Sequence, residues 1–268
     1  MPKISVIMGI YNTKSKEYLK KSLSSILNQS YRDFELIICD DGSTNDAIKW
    51  AKEICNRDKR VIFIKNDRNR GLAYTLNHCL KFAKGEYIAR MDDDDESRID
   101  RFEIQLNYLE KNKNVDLVSS NINVFDERGI YAEKIYPKYI ENQDFLFNSP
   151  IVHPSIMARK KAFLLVDGYR DIKKTVRVED YDMFMRMKAN GINMNVIQKK
   201  LLNYRDDLSN TIRRKKYKYR INEAKIRYEN YWKMGLMPIG LIYVLKPLII
   251  GLIPVKIIDN IKKFKKGR

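Results

Sequence analysis

The sequence predicts an α/β protein in which helices cover both faces of a mostly parallel central sheet. Short apolar, largely β-branched runs alternate with amphipathic stretches over the first 120 residues, which is typical of βαβ units with right-handed crossovers. Hydrophobic residues make up 44% of the 268-residue chain, which is enough for a large core. Polar clusters follow several of the predicted strands. Because a chain of 268 residues is long enough for it, we expect one large domain with a C-terminal appendage.

The predicted strands and helices succeed one another in a regular order. Five strands are predicted at residues 4–8, 34–39, 61–64, 87–91 and 115–119. Four amphipathic helices are predicted near residues 17–28, 44–56, 72–84 and 98–111. A β-hairpin is predicted at 121–136, with its turn near Asp126-Glu127-Arg128-Gly129, and the regular alternation stops after about residue 144.

Four consecutive aspartates, Asp92 to Asp95, directly follow the fourth predicted strand. Adjacent carboxylates repel each other, and the end of a strand has no helix dipole to offset that repulsion. A divalent cation would offset it, because Mg²⁺ and Mn²⁺ take oxygen ligands and often lie between carboxylates and substrate phosphates. A solvated acidic loop is the alternative, but open α/β sheets bind ligands at the carboxyl ends of their strands. We therefore expect Mg²⁺ or Mn²⁺ as a cofactor at this position.

Three further polar clusters are predicted at the same edge of the sheet. Asn12 follows the first strand, Asp40-Asp41-Gly42-Ser43-Thr44 follows the second, and Asn69-Arg70-Gly71 precedes the third helix. Gly42 permits a tight turn, and Ser43 or Thr44 can cap the next helix. An ordinary capped turn is one interpretation of the second cluster. The other is a nucleotide site, in which a carboxylate accepts hydrogen bonds from a base or a ribose.

The basic charge of the chain is concentrated near its C-terminus. The formal net charge is +18, and residues 199–268 hold 19 Lys and Arg against 5 Asp and Glu. A basic segment of this kind favours nucleic acid or an anionic membrane surface as its partner. Residues 235–258 are strongly apolar, but three prolines and Lys246 divide them into pieces shorter than the roughly 20 residues of a spanning helix. We predict that 213–268 form a basic amphipathic tail on the membrane surface, with core packing and a true span as alternatives.

The motifs at the sheet edge resemble the nucleotide-sugar-binding half of family-2 inverting glycosyltransferases with the GT-A fold. The matching segments are residues 5–12, 40–44, 69–73 and 89–95; Gly9 departs from the pattern, since many members carry proline there. Residues 152–155 resemble the family's segment near the acceptor, and residues 178–182 resemble its Glu-Asp motif. Residues 202–205, together with Ser209, resemble the segment that closes over the donor. The resemblance covers about residues 3–212. It implies a GT-A domain at 1–212, with a nucleotide-sugar half (1–120) and an acceptor and catalytic half (121–212).

The resemblance also implies a reaction and a set of site residues. A hexose or N-acetylhexosamine would pass from a UDP-sugar, with inversion, to a hydroxyl of a saccharide acceptor, often lipid-linked in the assembly of bacterial surface polysaccharides. Asp180 would be the general base, with Glu179 as the alternative, and Asp94 and Asp92 would hold the metal. The donor would be bound by Tyr11, Asn12, Asp40, Asp41, Asn69, Gly71, Arg90, Asp92 and Asp93. The acceptor or other parts of the site would be contacted by His153, Asp95, Tyr204 and Arg205.

Each of these assignments has a purely structural alternative. His153 precedes Pro154 and equally fits a buried hydrogen-bonding residue. Glu179 and Asp180 equally fit an acidic start of a helix. Arg90 equally fits a partner that holds the aspartates apart.

Two other classes of function fit parts of the sequence. A nucleotidyltransferase would also use aspartates and a metal at a sheet edge, but residues 9–14 lack its Gly- and Arg-rich phosphate loop. A nucleic-acid-binding protein or a non-catalytic scaffold would explain the basic tail. Residues 1–198, however, hold 33 Lys and Arg against 29 Asp and Glu, so the predicted folded part is nearly neutral. We therefore expect no nucleic acid partner.

The cysteines and the N-terminus bear on the cellular location. Cys39, Cys55 and Cys79 form no metal-binding spacing, and we expect them to be reduced residues of the core. The first residues lack the apolar segment of a signal peptide. The sequence thus predicts a cytoplasmic protein that is peripheral on the inner face of the cell membrane.

Overall fold

The structure, a computed structural model, describes residues 1–206 and 216–252 of the chain. The strands in this part are β1 (Ile4–Ile10), β2 (Phe34–Asp40), β3 (Val61–Lys65), β4 (Tyr87–Arg90), β5 (Glu96–Ser97), β6 (Leu117–Asp126), β7 (Gly129–Lys134), β8 (Met157–Arg159) and β9 (Met194–Arg205). The helices are α1 (Lys16–Leu27), α2 (Ala47–Cys55), α3 (Leu72–Phe82), α4 (Arg101–Lys111), α5 (Lys160–Leu165), α6 (Glu179–Ala189), α7 (Tyr217–Lys233) and α8 (Leu241–Leu252). The predicted elements up to residue 111 are present, with ends that differ by a few residues.

A single sheet passes through the molecule in the order β3-β2-β1-β4-β8-β6-β9-β5, and β7 pairs with β6. β1 to β4 are parallel, as predicted, and Ile4 lies opposite both Phe34 and Tyr87. Alternate residues of β1 enter opposite cores: Val6 and Met8 pack with α1, α2 and α4, whereas Ile7 packs with α3 and α6. The α/β class with helices on both faces is therefore confirmed.

The second half of the sheet is mixed, whereas the first half is parallel, and most of the paired residues of the whole sheet lie in parallel pairs, as predicted. The three-residue strand β8 lies between β4 and β6 and is antiparallel to both. β6 is therefore not the next parallel strand after β4, although it pairs in parallel with β9. The predicted hairpin is confirmed as the antiparallel pair of β6 and β7. So short a strand as β8 has no periodic signal of its own, which is why the sequence did not predict it.

The described part of the predicted tail packs against the second half of the domain. Ala224, Ile226 and Tyr231 of α7 and Val244 of α8 are buried in the core that contains α3 and α6. α7 therefore packs against the core, which was one of the alternatives stated for this segment. The predicted boundary after residue 212 and the predicted donor-closing residue Ser209 lie outside the described residues.

The described residues also bear on the membrane and cysteine predictions. None of the helices within 1–206 and 216–252 combines the length and the apolar character needed to cross a bilayer. Cys39, Cys55 and Cys79 are all buried and free, which confirms that they are residues of the core.

Candidate active site

The loop after β3 is fastened to the turn after β2 by a buried carboxylate. Asp41 accepts hydrogen bonds from the backbone N–H groups of Arg70 (2.8 Å) and Gly71 (2.9 Å). Asn66 Nδ2 donates a third hydrogen bond to Asp41, also at 2.8 Å. Three donors therefore hold this carboxylate, and Asp41 shapes the loop that carries Asn69 and Gly71.

Asn12 and Asp40 organise the neighbouring turn. Asn12 Oδ1 accepts a hydrogen bond from the backbone N–H of Thr44 at 2.8 Å. The buried carboxylate of Asp40 accepts one from the backbone N–H of Ser43 at 2.9 Å. Tyr11 and Asn69 lie on the same loops with exposed side chains. The polar clusters after β1, β2 and β3 thus meet at one edge of the sheet, where the side chains of Tyr11 and Asn69 are among those exposed to a ligand.

Three of the four aspartates form a potential cation site between β4 and β5. One carboxylate oxygen from each of Asp92, Asp94 and Asp95 lies within 4.8 Å of the others. Asp95 Oδ1 accepts a hydrogen bond from the backbone N–H of Arg205 at 2.8 Å, whereas its buried Oδ2 has no hydrogen-bond partner among the described residues. Carboxylate oxygens are the ligands that hard divalent cations prefer, and a cation would satisfy this buried oxygen. The residues present therefore fit Mg²⁺ or Mn²⁺.

Burial and mutual repulsion disfavour the ionised forms of these aspartates. Burial, and after it the negative charge of Asp92, raises the pKa of Asp94 to about 7. Burial raises the pKa of Asp93 to about 6, although the Thr13 hydroxyl donates a hydrogen bond to this carboxylate. Burial also holds the pKa of Asp95 well above its ordinary value. A bound cation would reverse this tendency, because it favours the ionised forms.

Two buried arginines contact the aspartate segment. Arg90 is ion-paired with Asp92, and two of its nitrogens, Nε and Nη1, have no hydrogen-bond partner in the described part of the chain. Arg205 Nε donates to the backbone carbonyl of Asp94 at 3.1 Å, and its guanidinium lies 3.6 Å from the centroid of the Tyr18 ring. Arg205 therefore holds the aspartate segment in place. Arg90 keeps donors that are suited to an anionic ligand.

α6 begins with the two acids that the sequence predicts as general bases. Asp180 Oδ1 accepts a hydrogen bond from the backbone N–H of Tyr181 at 2.8 Å. Glu179 is half-buried, and its Oε2 has no hydrogen-bond partner within the described ranges. Burial, followed by the negative charge of Asp180, raises the pKa of Glu179 to about 7. Carboxyl groups in such a setting can exchange a proton with a substrate hydroxyl.

His153 has the contacts of a buried hydrogen-bonding residue. Its Nε2 lies 2.7 Å from the hydroxyl of Tyr169, and its ring packs edge-on against Phe184. Burial and the positive charge of Arg90 lower the pKa of His153 well below its ordinary value, so the imidazole is neutral at pH 7. These contacts are those of a buried hydrogen-bonding residue, which was the structural alternative stated for His153.

A cavity of about 740 Å³ brings part of the predicted site together. Its lining includes Arg90 and Asp92 from the end of β4, and Glu179 and Asp180 from the start of α6. His153 and Tyr204 are the other predicted site residues in the lining. The remaining predicted residues lie outside it: Tyr11, Asn12, Asp40, Asp41, Asn69, Gly71, Asp93, Asp94, Asp95 and Arg205.

The sequence did not predict several residues of this region. Glu223 and Arg227 of α7 line the cavity, as does Arg177 just before α6. A Glu and an Arg four residues apart on a charged helix look like an ordinary surface pair, so no pattern distinguished them. Asn66 follows β3 directly, and the same reasoning from strand ends that selected Asp40 would have found it.

The raised pKa of Glu179 predicts how stability depends on pH. The folded protein binds this proton more tightly than the unfolded chain does, so the stabilising contribution is complete below about pH 4.5 and is lost as the pH rises through about 7. Glu179→Gln cannot ionise at this position. We therefore expect its free energy of unfolding to increase relative to that of the wild type as the pH rises from 4.5 to 8. Urea unfolding at both pH values measures this change. The matched control is Glu17→Gln, an exposed acid in the first turn of α1; a difference for Glu179→Gln that does not vary with pH would contradict the assignment.

Comparison with known proteins places the chain in a family. The profile of the family described as "Glycosyl transferase family 2" matches residues 5–165, more than half of the chain. EpsE from Bacillus subtilis (strain 168), which is assigned by name to the glycosyltransferases, is 38% identical over 263 residues, covering 98% of this chain and 94% of EpsE. The Escherichia coli UDP-Gal:alpha-D-GlcNAc-diphosphoundecaprenol beta-1,3-galactosyltransferase is 31% identical over 238 residues, covering 86% of this chain and 84% of that enzyme.

A solved structure has the same fold at low sequence identity. S. aureus TarS, residues 1–349 in complex with UDP-GlcNAc, superposes with a TM-score of 0.73 at 17% identity, covering 91% of this chain and 73% of TarS. The arrangement of the sheet and helices is thus that of a GT-A transferase. The family match, the relatives and the fold agree, and the chain belongs to glycosyl transferase family 2.

Proposed function

We propose that this protein transfers a hexose or N-acetylhexosamine from a UDP-sugar to a hydroxyl of a saccharide acceptor during the assembly of a surface polysaccharide. The observation that carries the proposal is the shared cavity. Asp92, which belongs to the potential cation site, and its neighbour Arg90 line the same space as the two acids at the start of α6. A sugar transfer needs both groups: one to stabilise a departing diphosphate, the other to remove a proton from the attacking hydroxyl.

The donor would be held by the loops at the carboxyl ends of β1 to β4. Asp40, Asp41, Asn12, Asn69 and Gly71 belong to the region for the nucleoside, with Tyr11 beside them; Asp41 also shapes its loop through the hydrogen bonds described above. Arg90 would donate to the diphosphate, and Asp92 and Asp93 would border it. Asp92, Asp94 and Asp95 are the residues that would hold Mg²⁺ or Mn²⁺. When bound, this ion supplies positive charge where the diphosphate departs.

The acceptor hydroxyl would attack the anomeric carbon as Asp180 removes its proton, with Glu179 as the alternative base. A single displacement of this kind inverts the anomeric configuration. A carboxylate is a weak base towards an alcohol, so the proton moves during the attack and not before it. His153 and Tyr204 would border the acceptor, and Arg205 acts through the aspartate segment that it holds.

The relatives support the choice of donor and acceptor. The E. coli relative is named for the transfer of galactose from UDP-Gal to a GlcNAc carried on a diphospholipid. TarS is described in complex with UDP-GlcNAc. The same chemical classes, a UDP-sugar and a lipid-linked saccharide, are therefore proposed for this chain.

We also propose that the C-terminal segment attaches the protein to an anionic membrane surface, on the cytoplasmic face where such acceptors are assembled. α8 has a strongly exposed apolar side that includes Ile242, Ile249 and Leu252. Residues 253–268 add six Lys or Arg against a single Asp. Apolar side chains and cationic charges together are the usual composition of an interfacial helix.

Ile249→Glu should weaken binding to anionic vesicles by about tenfold, because it puts a charge on the proposed membrane face. Co-sedimentation with phosphatidylglycerol-containing vesicles, compared with pure phosphatidylcholine vesicles, measures the effect. Ile99→Glu is the matched control, because Ile249 and Ile99 are 61% and 62% exposed. Equal binding of Ile249→Glu and the wild type, or equal loss in Ile99→Glu, would refute the proposed membrane face.

The sugar-transfer proposal is tested by UDP release from a panel of UDP-sugars with Mn²⁺, with Mg²⁺ and with EDTA. Slow hydrolysis of one donor is sufficient, so the acceptor need not be known. We expect release of UDP from one or a few UDP-sugars. A folded protein that neither hydrolyses nor binds any UDP-sugar would rule the proposal out.

A further inference from the structure

α7 contributes a carboxylate to the cavity from a part of the chain beyond the family match at residues 5–165. Glu223 lines the cavity together with Arg227, and its side chain is 17% exposed. Neither residue belongs to the donor region or to the acids at the start of α6. Glu223 and Arg227 therefore form a third charged wall of the cavity, which has no assigned role in the proposed transfer.

Two arginines hold the Glu223 carboxylate in one position. Arg227 donates to Oε1 from Nε (3.1 Å) and Nη2 (2.9 Å), and Arg220 donates to Oε2 from Nη1 (3.2 Å). Charge-assisted hydrogen bonds on both oxygens restrict the rotation of this side chain. Each carboxylate oxygen can accept further hydrogen bonds, so the group can still bind a donor from the cavity.

The same face of α7 is connected to the helix that carries the proposed base. Arg227 Nη1 donates to the hydroxyl of Tyr231 at 2.6 Å, and this hydroxyl lies 3.2 Å from that of Tyr181. The guanidinium carbon of Arg227 is 5.1 Å from the centroid of the Tyr181 ring. Arg227 lies one helical turn after Glu223 and packs against Tyr181, which directly follows Asp180. Glu223 is therefore linked through Arg227 to the segment that carries the proposed base.

We propose that Glu223 is an acceptor-binding residue, whose carboxylate accepts hydrogen bonds from hydroxyl groups of the acceptor saccharide. This inference rests on the proposed sugar transfer and names a binding group within the same site. A saccharide presents many hydroxyl donors, and a fixed carboxylate is an acceptor-only partner for them. Tyr136 and Tyr204 line the same cavity and add aromatic surface to it, as is usual in ligand pockets.

The alternative is that Glu223 only compensates the charge of Arg227, whose side chain is 1% exposed. A purely structural carboxylate would affect stability and would affect the kinetic constants of both substrates together. An acceptor-binding carboxylate would raise the KM of the acceptor selectively. The two roles are therefore distinguished by a comparison of two KM values in one variant.

The test uses the full chain, the UDP-sugar found in the panel above, and octyl glycosides of glucose, galactose, mannose, GlcNAc and GalNAc with their octyl diphosphate counterparts as acceptor probes. Loss of a hydrogen bond to a charged group should raise the KM of the best acceptor in Glu223→Gln by about tenfold or more. The KM of the UDP-sugar should change by less than about twofold in the same variant, since Glu223 is not among the residues proposed to bind the donor.

Glu229→Gln is the matched control, because Glu229 is on the same helix, is ion-paired with Arg170 and Lys174, and is absent from the cavity lining. We expect this variant to keep the wild-type KM for the acceptor. An unchanged acceptor KM in Glu223→Gln, or an equal rise in Glu229→Gln, would overturn the assignment.

A binding measurement keeps the inference separate from the sugar transfer itself. Saturation-transfer NMR on the UDP-loaded protein should detect at least one of the same glycosides with the wild type and lose its signal with Glu223→Gln. A wild type that binds none of the glycosides would overturn the acceptor site. A wild type that binds them but releases UDP from no UDP-sugar would instead refute the proposed function.

Discussion

Asp180→Asn should lower kcat for UDP release by about 1,000-fold, because a positioned general base contributes roughly 10²- to 10⁴-fold. The amide keeps an oxygen that can accept the hydrogen bond from the Tyr181 N–H, so the start of α6 should remain folded. The KM of the UDP-sugar should change little, since the base acts on the attacking hydroxyl and not on the donor. Steady-state UDP release by the wild type and the variant measures both constants.

Asp171→Asn provides the control, because Asp171 is an exposed acid in the segment that precedes α6. It should keep wild-type kcat. The pH dependence of kcat then separates the two candidate bases. If Glu179→Gln loses as much activity as expected for Asp180→Asn, and the wild-type rate rises with pH through about 7, the pKa of Glu179, then the base is Glu179 and our assignment of Asp180 is wrong.

Removal of the divalent cation should have an effect of similar size. The cation is expected to contribute several kcal/mol of transition-state stabilisation, and each 1.36 kcal/mol is a factor of ten, so EDTA should lower UDP release by about 100-fold or more. Added Mn²⁺ or Mg²⁺ should restore it. Asp94→Asn should show a comparable loss, because it removes one of three carboxylates whose oxygens lie within 4.8 Å of one another.

Mn²⁺ binding, followed by electron paramagnetic resonance without any donor, gives a readout that does not depend on turnover. Asp94→Asn should bind Mn²⁺ more weakly than the wild type. Asp67→Asn, at an exposed acid on the loop after β3, should bind it equally well. Full activity in EDTA, or equal Mn²⁺ affinity in Asp94→Asn and the wild type, would exclude the metal role of this cluster.

The parallel half of the sheet was predictable because its signals are local. β1 to β4 are short apolar runs, and the helices between them repeat with helical spacing, so both can be recognised from neighbouring residues. β8 has three residues and no such signal, and its position between β4 and β6 is set by pairing across the sheet. Apart from the predicted β6–β7 hairpin, the strand order in the mixed half of the sheet therefore followed only from the structure.

The candidate site divides in the same way. The aspartate run, the Asp40-Asp41 turn and the Glu179-Asp180 helix start are compact motifs, and strand ends and helix starts are where such side chains meet ligands. The sequence by itself thus determined the family resemblance, the two proposed acids, and Asp92 and Asp94 as metal residues, whereas the structure added Asp95 to that cluster.

The tertiary structure decided which of these residues share a cavity and what else belongs to it. Arg227 donates to the carbonyl of Leu146, 81 residues away, and the N–H of Arg205 donates to Asp95, 110 residues away. Contacts over such separations leave no periodic trace in the sequence, because they depend on how α7 and β9 pack after the chain has folded. For this reason the α7 wall of the cavity, with Glu223, appears only in three dimensions.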